Sequence, residues 1–191
     1  VGRGYSLVEG LEPGQAAFLS DMLPLFSVCG IPAGDLQDLI NFNGITCQTK
    51  VNLYSTYMGG VVSHRSLTLL MQLLAGYFSN IRPDAEAILD YTRNMAAESA
   101  VYRMGRNMRL AAIDSLLCNG NPYSEVKMYD NFDTGLISKA DTLFRKVFAS
   151  ADDAFIVISG DMETEKVKKM LESTIGMFQT TGEITRRRRV M

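Results

Sequence analysis

The stretch PGQAAFLSDMLPLFSVC, residues 13–29, is the longest nearly uninterrupted apolar run in the chain, and Asp21 is its only formal charge. At the helical repeat, Leu19, Met22, Leu23 and Phe26 share one face and Phe18, Leu25 and Cys29 flank it, so the apolar surface wraps most of the circumference. A helix of that kind is covered on several sides and is expected at the centre of the core. Pro13 suits a first helical turn, Glu12 complements the positive end of the helix dipole, and Gly30 with Pro32 supplies a stop. Pro24 lacks the N–H that an interior position needs, which predicts a bend over residues 20–24. The run contains no His and no Glu.

Around this helix lie 191 residues that are 47% hydrophobic and 21% charged, enough for one domain with a substantial core. The net charge of -2 and a sequence pI near 5.5 give no electrostatic case for nucleic acid as a partner. No apolar run reaches the roughly 20 residues of a membrane span. Cys29, Cys47 and Cys118 are widely separated in apolar surroundings and read as buried thiols. His64 is the sole histidine and no Cys-x-x-Cys pair exists, so the chain offers no zinc-type ligand spacing of its own.

Read in order, residues 4–9 are a strand candidate, and Asp35 caps a short helix ending at Asn43-Gly44. Ile45, Cys47, Thr49, Val51 and Leu53 alternate with Thr46, Gln48, Lys50 and Asn52, a period-two strand, and residues 57–63 follow as its antiparallel neighbour. Gly59-Gly60 within the second strand predicts a bulge or a close backbone approach. Helices are expected from Ser66 to about Asn80, from Asp84 to about Met104, over 108–118, over 135–148 and over 163–178. The intervening residues 121–133 read as loop. AFIVIS, residues 154–159, reads as a fully buried strand. The fold class is therefore α+β, a small, mainly antiparallel sheet with helices packed on it.

The end of the chain, KVFASADDAFIVISGDMETEKVKKMLESTIGMF, resembles the pitrilysin/insulinase (M16) zinc peptidases. Their α/β module, which is also the LuxS-metallohydrolase-like fold, closes with a helix, a short loop, a hydrophobic strand, a Gly-Asp or Gly-Asn turn and a helix ending in Leu/Ile-Gly. The corresponding parts are residues 144–148, 151–153, 155–159, Gly160-Asp161 and Ile175-Gly176. The upstream order of elements fits as well, and SHRSLTLLMQLLAGYFSNIRPDAEAI is similar in pattern to the family's Leu-rich helix and proline-bearing connection. The resemblance covers residues 4–178. It implies a single module over 1–180, with 181–191 opening the linker to a following module of a longer polypeptide.

Active members of that family carry an inverted zinc motif, HxxEH, on the core helix and a further Glu on the later long helix. Laying GQAAFLSDM against the motif puts Ala17 and Asp21 at the histidine positions and Ser20 at the glutamate, while Glu98 falls near the third ligand. The resemblance therefore implies a non-catalytic module with no metal or cofactor of its own. Zinc is expected in the catalytic half of the parent, a zinc metalloendopeptidase. The implied partners are other M16 modules, in the same polypeptide or a partner subunit, and an unfolded peptide substrate. The alternative on the same fold is a scaffold or interaction module, as in the core subunits of respiratory complexes. The compartment stays open; the bacterial periplasm or cell envelope suits such a parent.

Outside that frame, Arg93, Arg103, Arg106 and Arg109 read as a solvated helix face, and the eleven methionines mostly as core packing. Arg186, Arg187, Arg188 and Arg189 read as part of the linker.

Overall fold

A computed structural model describes residues 1–104, 106–124, 126–178, 180 and 182. The chain runs α1 (Gln15–Met22), β1 (Phe26–Val28), α2 (Ala33–Phe42), β2 (Thr46–Val51), β3 (Thr56–Val61), α3 (Leu67–Ser79), β4 (Ile81–Pro83), α4 (Ala85–Tyr102), α5 (Arg106–Cys118), α6 (Gly135–Val147) and α7 (Thr164–Thr174). The class is α+β. Its strands form two separate antiparallel pairs: β1 with β4, Ser27 opposite Arg82, and β2 with β3, Gln48 opposite Gly59. Glycines 59 and 60 leave that register unbroken, so there is no bulge; a Cβ at Gly60 would instead overlap the Thr46 carbonyl, the close approach the pair implies.

The apolar stretch does build the core, but as three elements and not one bent helix. α1 stops at Met22, Leu23–Leu25 form a single 3-10 turn, and Phe26–Val28 are strand. Pro24 cannot donate to a continuing helix, whereas Phe26–Val28 find ladder partners in Ile81–Pro83. Nor does Pro13 open the helix, because Gly14, at φ 75°, is its N-cap. Phe18, Leu19, Leu23 and Phe26 are buried against Leu136, Leu143, Phe144 and Val147 of α6, and Phe26 meets Phe144 edge-on with ring centroids 4.9 Å apart. α6 owes this to a regular apolar stripe, Leu136, Ala140, Leu143, Phe144 and Val147, all fully buried.

Two expected strands are not formed. Residues 4–9 carry only a 3-10 turn, Tyr5–Leu7, and their backbone is used by the β2–β3 connection: Tyr5 N–H donates to Asn52 O (3.1 Å) and Ser6 N–H to Leu53 O (2.9 Å). AFIVIS has no regular structure, and Phe155 and Val157 are 83% and 74% exposed. Among the described residues no strand lies beside it, and a β-forming side-chain pattern cannot make a strand without a ladder partner.

Local details differ too. Asp35 lies in the first turn of α2, and the capping is done from a distance by Asp84, whose Oδ2 accepts from Ala33 N–H at 2.8 Å. The same carboxylate caps α4, Oδ1 accepting from Glu86 N–H (3.0 Å) and Ala87 N–H (3.2 Å). Cys29 is exposed with φ 53°, and only Cys118 of the three thiols is buried. Met22, Met71 and Met95 are core, but Met104 and Met108 are exposed.

Candidate functional site at the junction of α1 and α4

The positions assigned by the resemblance sit on α1 and α4. Ala17 is half-buried and carries no donor atom. Ser20 Oγ accepts from Val51 N–H at 3.2 Å, which joins α1 to the end of β2. Asp21 forms an ion pair with Lys127, and the Lys127 ammonium also lies 5.7 Å from the centroid of the Phe18 ring. On α4, Glu98 Oε2 accepts from the Tyr129 hydroxyl at 2.9 Å.

Asp21 and Glu98 act on the same two phenols. Burial, then the hydrogen bond to Glu98, then the charges of Glu98 and Asp21 push Tyr129 up to about 12. Tyr91 on α4 is pushed up as well, by burial first and then by the charges of Asp21 and Glu98. Its hydroxyl is buried. Beneath it lies only an apolar void of about 10 Å³, lined by Met22, Leu25, Phe26, Ile88, Tyr91 and Ile137.

Residues 126–133, part of the segment read as loop, cross this junction as a strap. Gln15 Nε2 donates to Asn131 O (2.7 Å) and Asp133 Oδ2 (3.0 Å), and Asn131 Nδ2 donates to Pro13 O (2.9 Å). Phe18 packs on Tyr129 and Phe132 with centroids 5.7 and 5.2 Å apart. Arg103 Nε donates to Asp130 Oδ1 at 2.9 Å. Gly14 makes room for all this, since a Cβ there would overlap Met128 and the Val126 carbonyl. Lys127, Tyr91 and Tyr129 were not legible as site residues; the available signal was Tyr129 and Phe132, aromatic side chains inside a polar loop.

The donor set does not fit a zinc ion. Ala17 supplies nothing, the Ser20 hydroxyl holds a backbone N–H, Asp21 is paired with an ammonium and Glu98 with a phenol. Among the described residues no group of three or more His, Cys, Asp or Glu is placed to hold a metal. His64 is exposed, at the start of a 3-10 turn far in sequence from this junction. Arg93 pairs with Asp90 and Arg103 with Asp130; Arg186 to Arg189 lie outside the described residues. No helix among the described residues is long and apolar enough to cross a membrane. No protein-family model matches the chain, and no curated protein matches it either.

Proposed function

We propose that this chain is a non-catalytic module of the M16 peptidase type, helping to enclose an unfolded peptide and packing against a zinc-bearing catalytic half. The observation that supports this reading is the convergence of Asp21 and Glu98, from two separate helices, on one pair of tyrosines. In the family, those positions surround the metal; here Asp21 is paired with Lys127 and Glu98 accepts from Tyr129. The α+β class and the succession of α1, α2, the β2–β3 pair, α3 and α4 support the same reading, although β1 and β4 interrupt that order and the strands expected over 4–9 and 155–159 are not formed.

The placement is tested by giving the ligands back. A variant with Ala17→His, Ser20→Glu and Asp21→His, with Glu98 retained, is expected to take up one zinc ion per chain in calorimetry, whereas the unaltered chain takes up none tightly. A folded triple variant that ignores zinc would overturn the assignment of these positions. The wider reading is tested by the sequence that flanks this chain in its parent: an HxxEH-bearing module is expected there or in a partner subunit.

The scaffold reading has one observation in its favour. Leu110, Ile113, Leu116 and Leu117 of α5 turn an apolar face to solvent, as a subunit interface would. Absence of an HxxEH module from both parent and partners would select it.

A further inference from the structure

We propose that the strap 126–133 is a clasp that ties α1 to α4 and closes their junction, with the Lys127 ammonium serving as the site's own cation. Four contacts carry this. Lys127 holds Asp21 on α1; Tyr129 holds Glu98 on α4 at 2.9 Å; Arg103, the C-cap of α4, holds Asp130 at 2.9 Å; and Gln15, at the start of α1, holds Asn131 O at 2.7 Å. The strap thus bonds to α1 through residues 127 and 131 and, between them, to α4 and its C-cap through residues 129 and 130. Between its polar contacts it presses Tyr129 and Phe132 onto Phe18, and Phe132 onto Tyr91, so the clasp has an apolar core as well as charged ends.

The arrangement answers an electrostatic need. Asp21 and Glu98 both act on Tyr91 and Tyr129, and the Lys127 ammonium at Asp21 offsets part of that negative charge from a side chain of the same protein. The ammonium engages one Asp21 oxygen and the Tyr129 hydroxyl one Glu98 oxygen, so each carboxylate is tied to the strap. The comparison with a metal, which would also bridge these helices, rests on the function proposed above; the clasp itself rests only on the contacts.

Amide hydrogen exchange on the full chain tests it. Lys127→Met keeps the apolar stem and removes the charge; Tyr129→Phe keeps the ring and removes the hydroxyl. Each variant is expected to speed exchange of the Asn131 and Phe132 amides about tenfold, the size of one lost hydrogen bond to a charged group. Each should also loosen the helix it does not touch: Lys127→Met the α4 amides around Glu98, and Tyr129→Phe the α1 amides around Asp21. Lys127→Arg should behave as the unaltered chain. Effects confined to the directly contacted helix would overturn the clasp, and so would an equal rise at Leu143 and Phe144 of α6, which would make these contacts ordinary parts of the global fold. Zinc uptake by the histidine variant plays no part in this readout, so either proposal can fail alone.

Discussion

Replacing Asp84 by alanine removes one carboxylate that caps two helices. Its Oδ2 accepts the Ala33 N–H that opens α2, and its Oδ1 accepts the Glu86 and Ala87 N–H groups of α4. Loss of an N-cap side chain costs about 1 kcal/mol, so Asp84→Ala is expected to lose about 2 kcal/mol, one cap's worth for each helix. Asp84→Asn keeps one carbonyl oxygen. Turned to α4, it places an amide N–H₂ against Ala33 N–H, and the loss is about 1 kcal/mol, that of the α2 cap alone. The Ala33 N–H first, and then those of Ala87 and Glu86, hold the Asp84 carboxyl below its usual range against the opposing effect of burial. A carboxyl depressed in the folded state stabilises fully above its unfolded pKa of about 3.9, and that contribution is lost as pH falls through the lower folded value. Urea unfolding of the parent chain and both variants at pH 7, 4 and 2.5 measures this. The gap between parent and Asp84→Asn should be widest at pH 7 and shrink at acid pH. A loss under about 0.5 kcal/mol for alanine at neutral pH, or a gap that stays constant with pH, would refute the double cap.

Arg3 is the second anchor outside the site. Its guanidinium donates to the carbonyls of Lys146 (3.3 Å) and Ser150 (3.2 Å) and to Ser150 Oγ (2.7 Å), closing the C-terminal end of α6. Arg3→Ala is expected to cost about 3 kcal/mol in urea unfolding, and Arg3→Lys most of that, since an ammonium cannot span these acceptors. Phe144→Ala should cost about 3–5 kcal/mol, while Phe155→Ala, at a position 83% exposed, should stay within about 0.5 kcal/mol; a large loss at Phe155 would restore the buried strand that the structure lacks. In an alkaline absorbance titration, Tyr77, Tyr91, Tyr102 and Tyr129, half of the eight tyrosines, are expected to remain largely un-ionised at pH 11. Because their folded pKa values are raised, the stability they contribute is complete below about pH 10 and is lost as pH climbs through the folded values. Ionisation of Tyr77, Tyr91, Tyr102 and Tyr129 near pH 10 in the folded chain would contradict their raised values.

Long periodic segments were legible because side-chain spacing alone reports them. α3, α4, α6 and the β2–β3 pair lie within a few residues of their expected positions. The short strands were not, since three residues carry no period. Phe26–Val28 becomes β1 only because Ile81–Pro83, a segment with a proline in it, comes to lie opposite. AFIVIS shows the reverse: strong local preference and no partner. At the junction of α1 and α4, Asp21 and Glu98 lie on helices that the sequence pattern suggests, but Lys127 and Tyr129 arrive from a loop, and what they touch depends on how residues 126–133 cross α1. Asp84 is similar. Its role at α4 is a local cap that sequence suggests, and its role at α2 is a tertiary contact that sequence does not.

The exposed ribbon of residues 154–159 governs how this protein must be handled. Six uncharged residues, three of them β-branched, with no proline or glycine, match what cross-chain strand stacking requires. Asp152 stands before the ribbon and Asp161 just after it, acidic gatekeepers flanking the point where copies would align, whereas Asp153 is turned inward onto Arg3. High-salt buffers, which screen these charges, are where turbidity should begin, well before the helices unfold.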